Sequence, residues 1–206
     1  DPYTSIWSFT DRLNEDVTRH WTGKGQGLLG VIDVDGVSYR FMGKEVSTEE
    51  TPVRFEKAAI QRSVNVLPTQ TYYTFECGPI CLDLIFTSPL LLDDLDRMST
   101  PVNYISWQVH ATDGKVHETR LTVEASPSLA VHSDDQAVTV AFEEENGISY
   151  LKAGTVEQPV LVRKGDDVRI DWGYFYLAAR TKKQTEMKVN DRQQLVFSHD
   201  MKTMSG

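Results

Sequence analysis

Any chemistry this chain performs must come from its two cysteines, its five histidines or its thirty acidic residues. Cys77 and Cys81 enclose Gly78, Pro79 and Ile80, a C-x3-C spacing. No second cysteine pair and no neighbouring histidine completes a zinc tetrahedron, so no metal site is expected there. Two readings of the pair stay open. If Gly78, Pro79 and Ile80 make a three-residue hairpin loop, the thiols face each other and can close a small disulfide. Otherwise they are two free, half-buried thiols. The histidines are His20, His110, His117, His132 and His199, and none falls in an H-x-E or H-E-x-x-H pattern. His110 and His117 flank Asp113-Gly114 and read as cross-strand neighbours on the wet face of a hairpin. Asp113 and Glu118 are the only carboxylates beside them, which again argues against a metal.

Acidic residues cluster at Asp93, Asp94 and Asp96, at Asp134-Asp135, at Glu143, Glu144 and Glu145, and at Asp166-Asp167. A glycosidase needs two carboxylates about 5–10 Å apart with one pKa raised. Consecutive acids on turns are better read as solvated. No calcium loop of the D-x-[DN]-x-[DN]-G type is present. Residues 23–27 (GKGQG) lack the Lys-Ser/Thr end of a phosphate-binding loop, and no G-x-S-x-G elbow occurs. No catalytic residue and no cofactor is therefore expected within the chain.

The aromatic, polar N-terminal stretch stands out: Tyr3, Trp7 and Phe9, then Thr18, Arg19, His20 and Trp21. Rings beside His and Arg can stack on sugar faces, or they can seal a contact with another domain. Trp7, His20 and Trp21 lie outside the strand pattern, so they are the candidates for a domain interface or a ligand rim. An apolar patch is expected to border residues 3–21.

The elements that would position these groups are strands. Residues 28–34 and 37–41 flank Asp35-Gly36, the strongest short-range hairpin signal. Residues 59–67, 70–77 and 80–87 form a second group, the last two joined by Gly78-Pro79. Residues 102–110 alternate, with Ile105, Trp107 and Val109 on the apolar face, so Trp107 is expected to be buried between sheets. Asp113-Gly114 then reads as a turn into residues 116–125. Residues 137–142, 147–152, 160–162, 168–178 and 194–197 complete about a dozen strands at sandwich-like spacing. Helix signals are thin: one or two turns at residues 11–17 behind Thr10, and a short turn within 90–98. The fold class expected is all-β, a two-layer antiparallel sandwich forming one domain over residues 1–206.

Composition agrees with a globular chain: 206 residues, 40% hydrophobic, 25% charged and 10% aromatic. The formal charge of −9 disfavours approach to phosphate backbones, so no nucleic-acid partner is expected. No run of eighteen apolar residues occurs, so no membrane span is expected. The chain opens on Asp1 and ends on Gly206 without a closing element, and both ends read as cut from something longer.

Several short stretches together resemble the N-terminal region of the glutaminase A family. They are DPYTSIWS at 1–8, TRHW at 18–21, GVIDVDGVSYRFMG at 30–43, PTQTYYTFE at 68–76, residues 82–95, PVNYISW at 101–107, DWGYFY at 171–176 and LVFSHD at 195–200. The resemblance runs in order along nearly the whole chain. It implies an N-terminal β-sandwich followed by an α-helical toroid of the six-hairpin-glycosidase type. That toroid, the partner expected in the same polypeptide, would hold the catalytic carboxylates. The resemblance also implies a secreted, periplasmic or cell-surface location. Export would permit a bridge between Cys77 and Cys81, although the family's usual sequence at that turn carries no cysteine pair. Two functions are expected from this: a non-catalytic domain that braces and partly walls a hydrolase, or a stand-alone module gripping carbohydrate through Trp7, Trp21, Tyr72, Trp107 or Trp172.

Overall fold

The computed structural model describes residues 5–45, 52–55 and 57–203. Tyr3 and most of the polar stretch at 47–52 lie outside them. Twelve strands are present among the described residues. They are β1 (Leu28–Val34), β2 (Val37–Met42), β3 (Ile60–Val66), β4 (Gln70–Cys77), β5 (Ile80–Thr87), β6 (Tyr104–Ala111), β7 (His117–Ala125), β8 (Val138–Glu145), β9 (Ile148–Thr155), β10 (Phe175–Arg180), β11 (Thr185–Val189) and β12 (Leu195–Thr203). One short helix, α1 (Leu95–Ser99), starts where the Asp94 side chain accepts from the Arg97 amide at 3.0 Å.

The all-β class holds, but the strands form three antiparallel sheets instead of two. Their orders are β11-β12-β7-β1-β2, β3-β4-β5-β6 and β10-β9-β8. β1 and β2 make the expected hairpin. Asp35 and Gly36 both take positive φ, 48° and 85°, as a tight turn matched to strand twist requires. Gly78-Pro79 joins β4 to β5 with Cys77 paired to Ile80, so this loop has two residues, not three. Gly78 takes φ 65°, and a side chain there would run into the Tyr39 hydroxyl.

Asp113-Gly114 does not close a hairpin. β6 belongs to the four-stranded sheet and β7 to the five-stranded one, so the segment carries the chain between layers. Residues 160–162 are not a strand; Leu161 has φ 55° and belongs to a turn. In the 168–178 run only residues from Phe175 onward pair. β11 was not expected, and residues 11–17 form turns without a helix.

One buried cluster draws on all three sheets. It includes Ile32 and Phe41 of the β1–β2 hairpin, Phe75 and Leu84 of β4 and β5, Leu121 and Phe197 of β7 and β12, and Leu151 of β9. Phe41 and Phe75 meet across the layers at 6.0 Å between ring centroids. Trp107 does face this cluster, but it is half-buried, not enclosed. Its strand is the edge of its sheet, so one flank stays open. Its ring packs edge-on to Phe197 at 5.6 Å, and Nε1 donates to the Met201 sulfur at 3.4 Å.

The other face of the five-stranded sheet is also covered. Leu29 pairs with Glu124, and Glu124 with Val196, so all three share that face. Leu29, Val196 and Glu124 are buried. Arg54 reaches over this face. It donates to Glu124 through both Nη atoms, at 2.9 and 2.6 Å, and through Nε to Glu45 at 2.6 Å. A bidentate guanidinium–carboxylate pair is what allows a carboxylate to stay so nearly dry.

Candidate functional site

The N-terminal segment is pinned from beneath. The Asn14 amide donates to the carbonyls of Arg40 and Ala59 at 3.1 and 2.8 Å, and Arg40 Nη1 returns a bond to the Asn14 carbonyl at 2.6 Å. Thr18 is buried, and its hydroxyl accepts from the Leu28 amide at 2.7 Å, tying the segment to β1. Above these anchors the backbone makes short bridges. Trp7 and Arg19 exchange amide–carbonyl bonds of 2.7 and 2.9 Å, and Arg19 also bridges to Gly25. The Arg19 guanidinium grips Asp16 through two bonds of 2.9 Å and lies 5.9 Å from the Phe9 ring centroid. That ion pair holds the Asp16 carboxyl below the usual carboxylate range.

The bridges leave the rings facing out. Ile6, Trp7, Phe9 and Trp21 are 44%, 54%, 50% and 43% exposed, each far above a packed core ring. His20 is fully buried instead. Its amide donates to the Lys24 carbonyl at 2.8 Å, its Nδ1 lies 3.0 Å from the Thr22 hydroxyl, and its ring sits 5.7 Å from that of Trp21. Of the three residues singled out in sequence, Trp7 and Trp21 stand at the surface and His20 underpins them. Burying four large apolar side chains against a partner would release roughly 1.5–3 kcal/mol each if the burial were complete.

His110 and His117 are not neighbours. His110 stays on β6, whereas β7 begins with His117 in the other sheet. His117 is held between two carboxylates, with Nδ1 2.6 Å from Asp35 and Nε2 2.9 Å from Asp113. Asp113, then Asp35, raise its pKa above the ordinary histidine value, and His117 holds both carboxyls below theirs. Asp35 also accepts from the Glu118 amide at 2.9 Å and Asp113 from the Lys115 amide at 3.0 Å. Both aspartates are thus turn-formers that converge on one imidazole, Asp35 through its other oxygen Oδ2 and Asp113 through the same Oδ1 that accepts from Lys115. This is a structural knot, because all three side chains are spent on one another and on neighbouring backbone amides.

Cys77 and Cys81 are both free thiols. The two-residue turn places them on opposite faces of the sheet. Cys77 points into the core, where burial pushes its pKa up to about 12, and Cys81 points outward.

On the outer face of β9 and β10, Tyr150, Tyr174 and Tyr176 gather. Their rings are inclined at 63° and 65° to one another, and Lys152 Nζ stands 4.0 Å from the Tyr174 centroid. Sequence reasoning fixed on Trp172 instead. Alternation from Phe175 inward would have placed Tyr174 and Tyr176 outside.

Depressions indent the surface formed by the described residues, two of them well defined. One of about 440 Å³ is lined by Arg12, Asn14, Glu15, Arg40, Lys44 and Gln61 among others. The other, of about 460 Å³, is lined by His132, Arg163, Lys164 and Asp167 among others. Each has a single carboxylate among its described lining residues, so neither pairs an acid with a base for glycoside cleavage. Burial, then Arg163 and Arg169, push the His132 pKa below the ordinary histidine value.

Comparison with known proteins gives three findings. Residues 69–204 match the family described as Domain of unknown function (DUF5127), and residues 1–52 match Domain of unknown function (DUF4964). Glutaminase A of Aspergillus oryzae (strain ATCC 42149 / RIB 40) is 27% identical over 188 residues, 86% of this chain. The match takes in 26% of that relative, so the chain spans about a quarter of its length. The resemblance to the glutaminase A family read from the sequence therefore holds.

Proposed function

This chain belongs to the DUF5127 family of domains, and from that premise we propose that it is a non-catalytic β-sandwich domain of an exported, glutaminase-like hydrolase. Its partner is a catalytic helical domain of the same polypeptide, and the Trp7–Trp21 surface is the contact. The observation that carries this is the exposed set Ile6, Trp7, Phe9 and Trp21, on a segment anchored to the sandwich by the buried Asn14 and Thr18. The Trp7–Arg19 bridge brings Trp7 to the stretch of chain that carries Trp21, and apolar side chains gathered at a surface mark interaction sites. The glutaminase A relative is more than three times as long as this chain, which supports a partner within the same polypeptide. The depressions, with one carboxylate each, support placing the chemistry outside these residues.

The carbohydrate-module reading has less behind it. A sugar-binding platform needs ring faces lying in one plane. Of the rings this reading would use, Trp7 and Trp21 are exposed and Tyr72, Trp107 and Trp172 are half-buried, while the tyrosines beside β9 and β10 are steeply inclined and Lys152 stands over one ring face.

The test is made in the longer protein. Trp7→Ala and Trp21→Ala are expected to lower turnover or to separate the melting of the two domains, with the 206-residue chain still melting within about 2–4 °C of its parent. Full activity and a single unchanged melting transition in both variants would end the interface reading. By itself, the 206-residue chain should release no ammonia from glutamine at rates near 1 s⁻¹, the low end of ordinary enzymes.

A further inference from the structure

Three metal-ligating side chains meet on the outer face of the four-stranded sheet, at a place unrelated to the Trp7–Trp21 surface. β5 and β6 pair so that Cys81 stands opposite His110 and Asp83 opposite Gln108. Side chains alternate along a strand, so Cys81 and Asp83 share the outward face of β5. His110 arrives on the same face from β6. One donor atom from each of Cys81, Asp83 and His110 lies within 4.8 Å of the other two. His110 Nδ1 is 3.9 Å from Asp83 Oδ2. All three residues are partly exposed, and β6 is an edge strand, so the group is open to solvent.

We propose that Cys81, Asp83 and His110 bind a divalent cation of the zinc class, with the fourth coordination position left to water. The donor set decides the class. Magnesium and calcium demand oxygen ligands throughout, whereas thiolate, imidazole and carboxylate together suit zinc. Ligand bonds of about 2.0–2.3 Å in a tetrahedron put donor atoms about 3.3–3.8 Å apart. Starting within 4.8 Å, the three donors close that gap by side-chain rotation, with no shift of the strands. Binding replaces the Cys81 S–H bond with a metal–sulfur bond and releases the proton to solvent. Thiolate and carboxylate then balance the dication.

The surroundings are built for a cation. The Thr74 hydroxyl donates to Asp83 Oδ1 at 2.8 Å, which orients the carboxylate and leaves Oδ2 on the His110 side. Glu76 stands opposite Cys81 on β4, engaged by Arg62 Nε at 2.9 Å. Its carboxylate is committed to Arg62 and takes no ligand position. Cys77 faces the core and takes no part.

The experiment titrates the purified chain with Co²⁺ and then Zn²⁺. One equivalent of cobalt should bind with a thiolate-to-metal absorption in the near ultraviolet, and zinc should displace it. Cys81→Ser should abolish that band. His110→Ala and Asp83→Asn should weaken zinc binding by at least about tenfold, a loss that even an outer-shell change can cause. Circular dichroism checks the fold of each variant. These side chains face outward, and if Cys81→Ser should nevertheless unfold, His110→Ala decides. No cobalt–thiolate band in the folded parent chain, or zinc affinity unchanged in a folded His110→Ala variant, overturns the proposal.

Discussion

Around Glu124 the chain buries charge and completes it internally, while around Trp7 it leaves apolar rings turned outward. Both regions lie against the β1–β2 hairpin. On the Glu124 side, Arg54 spends its fork on Glu124 and Glu45, and Arg192 adds a bond to Glu45 at 3.4 Å. On the Trp7 side, hydrogen bonds from Asn14, Thr18 and Arg19 close the backbone, and four large side chains stay exposed. Internal saturation of polar groups marks a region whose work is stability. Exposed apolar side chains on a hydrogen-bonded, anchored backbone are what the proposed interface rests on.

The largest effect that sharpens this contrast is Arg54→Ala. It leaves Glu124 nearly dry and unpaired and Glu45 with only Arg192 as a charged partner, and should cost about 2–4 kcal/mol in urea unfolding, near the range for breaking a buried pair. A cost under about 1 kcal/mol would mean that water already reaches the pair. Trp107→Ala comes next, at about 2 kcal/mol. A fully enclosed ring would lose more, but this one keeps an open flank on an edge strand.

The His117 knot is a smaller, pH-dependent version of the saturated kind. His117 has its folded pKa raised, so its contribution to stability is full below the ordinary value near 6.5 and fades as pH climbs through the folded pKa. Asp35 and Asp113 have folded pKa values lowered, so their contribution is present above the ordinary carboxylate range and fades as pH falls through the folded values. The urea midpoint should therefore fall on both sides of weakly acid pH, and His117→Gln should flatten the alkaline limb. An unchanged alkaline limb in that variant would remove the knot from the comparison. Smallest of all is Trp7→Ala in the 206-residue chain, within about 0.5 kcal/mol of its parent, as for surface substitutions generally. A larger loss would make Trp7 part of the core and erase the contrast.

What could be read from the sequence was what is local. Asp35-Gly36 sits between two apolar runs and turns where it should. The same dipeptide at Asp113-Gly114 misleads, because a turn signal does not say which sheet receives the next strand. What Asp113 does there is cap Lys115 and hold His117. The outward alternation of residues 104–110 was legible, but the half-exposure of Trp107 depends on β6 lying at an edge, which is a property of strand order. Trp7 and Trp21 stood out by type. The burial of His20 between them did not, since nothing periodic marks an irregular segment. Cys81, Asp83 and His110 were hidden for a related reason. A search for ligands near a cysteine in sequence stops well short of a histidine brought alongside by strand pairing.

The five-stranded sheet has a consequence for how the chain is made. β1 and β2 fall in the stretch matched at 1–52, while β7, β12 and β11 fall in the stretch matched at 69–204, and β1 pairs with β7 along seven residues. During synthesis the β1–β2 hairpin leaves the ribosome first. Roughly 75 residues separate Met42 from His117, so at about 5–20 residues per second the open edge of β1 waits about 4–15 s for its neighbour. β12 reaches β7 after a similar delay. A nascent chain of this kind carries an unpaired apolar strand for seconds, long enough for a holding chaperone to act. Production of either matched stretch alone would make that wait permanent.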